Sequence, residues 1–404
     1  MAQPANPIAA QAINALGIDL LHQTASVRNN ALLSPYSIQM AMAMACAGAD
    51  GQTRAEMARV LHYPKDEPTV DRAFSALQAD LAGIIQRRAS EDAQLRQNGI
   101  TNQPLTLTTA NRLFGQNGYD FRPAYLSLLK NTYQSPFDPM DFIRHAPDAT
   151  AQINTWIEQQ THGLFRNLIP PGALNQATRL VLVNAIYLNA PWQTVFDQSA
   201  TQPRPFYILD GTRPKVPTMF QDTSYGYARR DGYQVVVLPY TAPELQFVIL
   251  LPDKKTGLAD LEAHLTPKML ADCANLPTPE VKLFLPKFRL EPPAMSLGRA
   301  FRSLGMKQAF DLPPRSANFD RIAPRRPDDY LYVSDVLHQT FLNLDESHTE
   351  AAAVTAVAMV TALGIEMTPP PPPIEVHVDH PFLFAIQHQP SGACLFLGQV
   401  TDPR

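Results

Sequence analysis

Ser34, Ser37 and His338 are residue types from which a hydrolase could be assembled, a hydroxyl serving as nucleophile and the imidazole as its base. Nothing in their surroundings signals convergence on a pocket, and buried hydroxyls bonded to a buried imidazole are far commoner than a new triad. His377 and His380, in HVDHPF, have the spacing of two metal ligands. Asp379 stands between them, however, in a strand-like context, and a turn leading into a strand is the plainer reading. Cys46, Cys273 and Cys394 make an odd set without C-x-x-C, which points to buried thiols rather than a disulfide framework or a zinc site. There is no G-x-S-x-G, no G-x-x-x-x-G-K-[ST] and no H-E-x-x-H. Residue types alone indicate no enzyme chemistry, no cofactor and no metal.

The elements that must position these residues divide by position in the chain. Apolar positions recur at helical spacing over residues 7–22, a buried helix is expected at 37–47 after Ser34-Pro35, and a short one at 53–61. Residues 66–95 read as a helix hairpin, 105–114 as a strand, and 151–169 as an amphipathic helix stopped by Pro170-Pro171. Beyond these, 179–188, 233–240, 245–252 and 281–291 read as strands, and 380–387 with 394–400 as a closing hairpin. With no linker or repeat visible, the 404 residues are expected to form one α+β domain, 1–404.

Composition narrows the partners. Apolar content of 45% with 17% charge fits a packed globular chain, and a net charge of −4 gives no general attraction to nucleic acid or anionic membrane. The pairs Arg87-Arg88, Arg229-Arg230 and Arg325-Arg326 are scattered and read as solvated surface. No apolar run approaches the roughly 20 residues that span a bilayer. The first residues lack the basic start and apolar core of a secretory signal, so the expected compartment is the cytoplasm, or the extracellular space if a leader was removed.

One stretch fits neither a helix nor an ordinary loop. Residues 346–364, ESHTEAAAVTAVAMVTALG, open with the capping-box spacing of Ser347 and Glu350, yet Val354, Thr355, Val357, Val360 and Thr361 are β-branched. As a strand its alternate sets are small, beginning Thr349, Ala351, Ala353 on one face and Glu350, Ala352, Val354 on the other. Such a strand could slide between two others with no obstacle beyond Glu350. Five prolines, Pro369 to Pro373, follow and read as a stiff extended arm.

Taken in order, the motifs resemble the serpin family of protease inhibitors. They are NALLSPYSIQMAMAMACAGADGQTRAEM from Asn30, TANRLF from Thr109, DF at Asp141, INTWIEQQTHG from Ile153 and LVLVNAIYLNAPWQTVF from Leu180. PKF from Pro286, LGM from Leu304 with AF after it, ANFDRI from Ala317, LHQTFLNLDESHTEAAAVTA from Leu337 and HPFLFAIQ with CLFLGQV complete the series. The resemblance implies the serpin fold, an α+β arrangement of three β-sheets and about eight or nine helices with an exposed reactive centre loop, here about 346–374.

It also implies a suicide substrate for a target serine protease, monomeric and free of cofactor. By the resemblance Glu346, His348, Thr349, Glu350, Ala351, Ala352, Ala353 and Thr355 form the hinge, and Ser34, Ser37, Asn184 and His338 a polar shutter. Trp192 belongs to the breach where insertion begins. The family pattern has Gly where this chain has His348 and, commonly, where it has Ala190. Family spacing puts the reactive bond at Ala362-Leu363, with Met359, Leu363 and Met367 as alternative sites in a loop longer than usual. These side chains imply an elastase- or subtilisin-like protease, with a chymotrypsin-like one as the further candidate. The absence of Arg and Lys between Glu346 and Pro373 argues against trypsin-like targets. The runner-up expectation is a non-inhibitory member acting as a binding or chaperone protein.

Overall fold

The computed structural model describes residues 7–64, 66–100, 103–161, 163–346 and 372–404. Helices come first: α1 (Pro7–Thr24), α2 (Pro35–Gly48), α3 (Gly51–Val60), α4 (Glu67–Gln97), α5 (Pro123–Thr132) and α6 (Phe142–Gln160). Three short ones follow later, α7 (Leu258–Ala263), α8 (Pro267–Ala271) and α9 (Gly298–Ser303). The strands are β1 (Ala31–Leu33), β2 (Thr106–Gln116), β3 (Phe137–Met140), β4 (Leu180–Asn189), β5 (Gln202–Pro205), β6 (Lys215–Ser224), β7 (Gly226–Arg230), β8 (Tyr233–Pro239) and β9 (Leu245–Pro252). They continue with β10 (Glu280–Pro286), β11 (Phe288–Leu290), β12 (Met295–Ser296), β13 (Leu337–His338), β14 (Leu342–Leu344), β15 (Ile374–His377), β16 (Phe382–His388) and β17 (Ala393–Val400).

A six-stranded sheet, ordered β1-β17-β16-β9-β8-β7, forms the core. Every residue of β9, β16 and β17 is buried, which explains why these segments read as continuous apolar runs rather than alternating ones. Gly398 in β17 is needed for this closeness, because a Cβ there would lie 2.4 Å from the Ala31 carbonyl oxygen of β1. A four-stranded sheet, β15-β10-β6-β5, and a three-stranded one, β3-β2-β4, are separate. The remaining strands form two pairs, β11-β14 and β12-β13.

Three features depart from the sequence expectation. Residues 66–95 form no hairpin: Asp66 is the N-cap of α4, a single helix of 31 residues, in which the one glycine, Gly83, is tolerated and the one proline, Pro68, falls in the first turn. Residues 281–291 are two strands, β10 and β11, in different sheets. Pro286 ends the first because it has no N–H to continue a ladder, and Lys287 occupies the corner, its N–H donating to Pro217 O at 2.9 Å. The amphipathic 151–169 segment is likewise helical only to Gln160, and Gly163, at φ +81°, turns the chain so that Phe165, Leu168 and Ile169 fold back onto the core.

Helix α6 begins where Asp141 Oδ1 accepts the Arg144 N–H (3.1 Å) and Gln116 Oε1 accepts those of Phe142 and Ile143 (2.8 and 3.1 Å). Its Ile153 and Ile157 share a second core with Phe114 of β2 and Val183 of β4, against which Leu337 of β13 and Phe341 also pack. The helix therefore covers both sides of the seam between β4 and the β13–β14 segment. Among the described residues no ladder joins β4 to β14.

Candidate functional site: a polar clasp and a hinge clamp

Ser34 is the N-cap of α2, its Oγ accepting the Ser37 N–H at 3.2 Å while donating to Leu395 O of β17 at 2.7 Å. The Ser34 N–H donates to His338 Nε2 at 3.1 Å, which leaves the ring proton on Nδ1. Thr340 Oγ1 adds a bond to Leu32 O at 3.0 Å. Four elements meet here, α2, β1, β13 and β17, in a buried clasp. These residues do not form a nucleophile–base pair here, because His338 Nε2 is engaged by a backbone N–H rather than by a hydroxyl, and both groups are shut from solvent. Asn184 lies in β4 opposite Asn111 of β2, and its side chain is outside the described residues.

Burial, with nothing to stabilise an imidazolium, pushes the His338 pKa down to about 4. In the unfolded chain the ring takes a proton near its usual 6.5. Between these values the unfolded state binds more protons, so stability falls as pH drops through the window, by at most roughly 1.4 kcal/mol per pH unit. His338→Gln is expected to flatten that dependence in urea unfolding between pH 6.5 and 4. His388, also lowered by burial, keeps its own smaller share.

At the far end of β14 a second constellation holds the start of the 346–364 stretch. Trp192 stacks on Tyr240 (4.8 Å, 9°), meets Phe247 edge-on at 5.9 Å, and donates its Nε1–H to Asp345 O at 2.9 Å. Next in the chain, Glu346 is 4% exposed. Its Oε1 accepts from Thr201 Oγ1 and its Oε2 pairs with Lys287 Nζ, both at 2.6 Å. Burial alone would raise the Glu346 pKa, but the Lys287 ammonium and the Thr201 hydroxyl outweigh it and hold the group below the ordinary carboxylate value. The clamp is therefore intact at neutral pH and is lost only as pH falls below the usual carboxylate range.

Removing one partner leaves a charge buried and unmatched. Lys287→Ala is expected to destabilise the fold by about 3 kcal/mol, and Thr201→Ala by about 1 kcal/mol, in guanidinium unfolding. Loss of the Lys287 effect below the carboxylate range would accompany it. A cavity here is lined by Leu188, Ala190, Trp192, Tyr240 and Ile386 together with Leu342 to Asp345. Leu188 at the end of β4 and Leu342 to Leu344 of β14 thus line one cavity just before Glu346.

The rest of the expected hinge, His348, Thr349, Glu350, Ala351, Ala352, Ala353 and Thr355, lies outside the described residues, as do Met359, Ala362, Leu363 and Met367. The histidine pair of HVDHPF does not converge: His377 lies flat on Phe284 (4.4 Å), while the buried His380 bridges Asp379 Oδ1 and Pro252 O, each at 2.7 Å. All three cysteines are free and buried, and burial pushes the Cys273 and Cys394 thiols up to about 12.

These features have counterparts in known proteins. Residues 11–403 match the family model described as Serpin (serine protease inhibitor). The chain is a serpin. It is 35% identical to the leukocyte elastase inhibitor of Sus scrofa over 93% of each chain. Uncleaved ovalbumin superposes with a TM-score of 0.79 at 25% identity, covering 98% of this serpin and 100% of that chain. A cleaved Serpin 42Da gives 0.78 at 27% identity, over 98% and 99%.

Sequence reasoning placed Glu346 at the hinge of this serpin but missed both of its partners. Lys287 stood within the PKF motif, and the proline before it, which breaks the strand, was the available signal that this side chain sits at a corner. Thr201 gave no signal, because its position depends on the short turn of residues 198–200 capped by Asp197. Tyr240, the stacking partner of Trp192, was hidden in a strand pattern.

Proposed function

We propose that this serpin inhibits a serine protease of elastase- or subtilisin-like specificity, as a monomer, by acting as a suicide substrate. The protease serine would attack the carbonyl of Ala362, forming an acyl-enzyme ester as the Ala362-Leu363 peptide bond breaks and the Leu363 amine leaves. The freed segment 349–362 would then enter as a strand between β4 and β14, dragging the protease along. The observation that carries this reading is the seam itself: Leu188 of β4 and Leu342 to Leu344 of β14 line one cavity, no ladder joins the two strands among the described residues, and Glu346 is clamped just beyond β14. About a dozen new backbone bonds at roughly 1 kcal/mol each would favour insertion by about 10 kcal/mol. Strand addition of this kind by serpin loops is an established recognition mode. Support for the target class comes from the alanine at 362 and from a relative named for inhibiting leukocyte elastase.

His348 favours a second reading, a non-inhibitory serpin acting as a binding or chaperone protein, because a pivot changes its backbone angles and glycine does so most freely. Incubation with elastase-, subtilisin-, chymotrypsin- and trypsin-like proteases separates the two. Inhibition requires an adduct that survives denaturing electrophoresis with one of the first three and a released C-terminal peptide beginning at Leu363. Cleavage after Met359, Leu363 or Met367 would shift the bond while keeping the mechanism. A cut after Arg325 or Arg326 would refute the loop assignment, and clean cleavage without adduct would leave the non-inhibitory reading.

A further inference from the structure

The outer face of the four-stranded sheet carries a row that the inhibitory reading does not use. Register sets Phe220 of β6 opposite Phe284 of β10, and Phe284 opposite His377 of β15. The rings follow the row at 4.8 Å and 4.4 Å, the latter pair within 2° of parallel. From the edge strand β5 the Arg204 guanidinium carbon reaches to 4.1 Å from the Phe284 ring centroid. Beside it opens a cavity of about 120 Å³, walled by Arg204, Phe206, Thr218, Phe284, His377 and Asp379.

Most polar groups in this wall face a protein partner. Thr218 Oγ1 donates to Val216 O (3.0 Å), His377 Nε2 is 3.4 Å from Glu375, and Asp379 is held by His380 (2.7 Å) and faces Lys255 (4.0 Å). The Arg204 guanidinium, among the described residues, makes no hydrogen bond or ion pair to a protein acceptor, which leaves its five N–H donors available. A half-buried guanidinium on an aromatic face is weakly hydrated and presents a planar fork suited to a carboxylate. Asp379 in the same wall repels a second negative charge, which selects a monoanion over a phosphate dianion. Phe206, Phe284, Val216 and Val378 supply apolar wall for the body of such a ligand.

We propose that this cavity binds a monocarboxylate, its carboxylate gripped by Arg204 and its apolar part against Phe284. The carboxylate could be that of a free small molecule or of an acidic side chain on a docked protein, and the probes distinguish these. Benzoate, its uncharged isostere benzamide, and a capped glutamate peptide are titrated onto the intact chain by saturation-transfer NMR, with wild type and Arg204→Gln compared. The expected result is saturable benzoate binding, with benzamide and the Arg204→Gln chain each weaker by about tenfold or more. Binding of the glutamate peptide but not benzoate would also support the site and assign it to a protein partner. Absence of binding by both anions, or equal binding of benzoate and benzamide to wild type, would overturn it. The benzamide comparison requires no variant and so stands even if Arg204→Gln folds poorly.

Discussion

Thr349→Arg is expected to convert this serpin from inhibitor to substrate. Of the two alternating sets in the proposed hinge, one carries Glu350, so the set Thr349, Ala351, Ala353 and Thr355 is the one that an inserting strand would turn toward the core. An arginine in that set must be desolvated beneath α6 without a partner, at a cost of several kcal/mol. If about 3 kcal/mol of this reaches the insertion step, insertion slows by about a hundredfold and hydrolysis of the acyl-enzyme wins the competition. Adduct should then vanish from denaturing gels while the loop is cut as fast as before. Glu350→Arg, on the opposite set, serves as the control and should retain most of the adduct.

The second large effect falls at Trp192. Trp192→Ala removes the stack on Tyr240, the edge contact with Phe247 and the donor to Asp345 O, and opens a cavity beside the hinge. A loss of about 3–5 kcal/mol is expected from unfolding in denaturant. Trp192→Phe should recover much of the packing yet lose the Nε1–H bond to Asp345 O, a residual loss of about 1 kcal/mol. Because Asp345 adjoins Glu346, both variants should also loosen the clamp, seen as faster hydrogen exchange in residues 342–346.

Much of this fold was legible because its strongest signals are local. The runs of β9, β16 and β17 are apolar on both faces, and Ser34-Pro35 announces the start of α2 with a cap and an N1 proline. The order of motifs carried the family. What sequence could not supply was contact between distant segments: Glu346 with Lys287 and Thr201, and Trp192 with Tyr240, join residues remote in the chain and depend on the break at Pro286. The continuous helix α4 was misread because a lone glycine looks the same in a hairpin and in a tolerant helix. Ser34 and His338, by contrast, could be named as buried partners from sequence, but only the structure showed that a backbone N–H, and not a hydroxyl, links them.

Insertion itself is tested by the heat stability of the chain before and after its loop is cut by an elastase- or subtilisin-like protease. If segment 349–362 becomes a strand between β4 and β14, the cut chain should melt more than about 10 °C above the intact one, from roughly 10 kcal/mol of added pairing. A cut chain that melts at the same temperature as the intact chain would contradict the account.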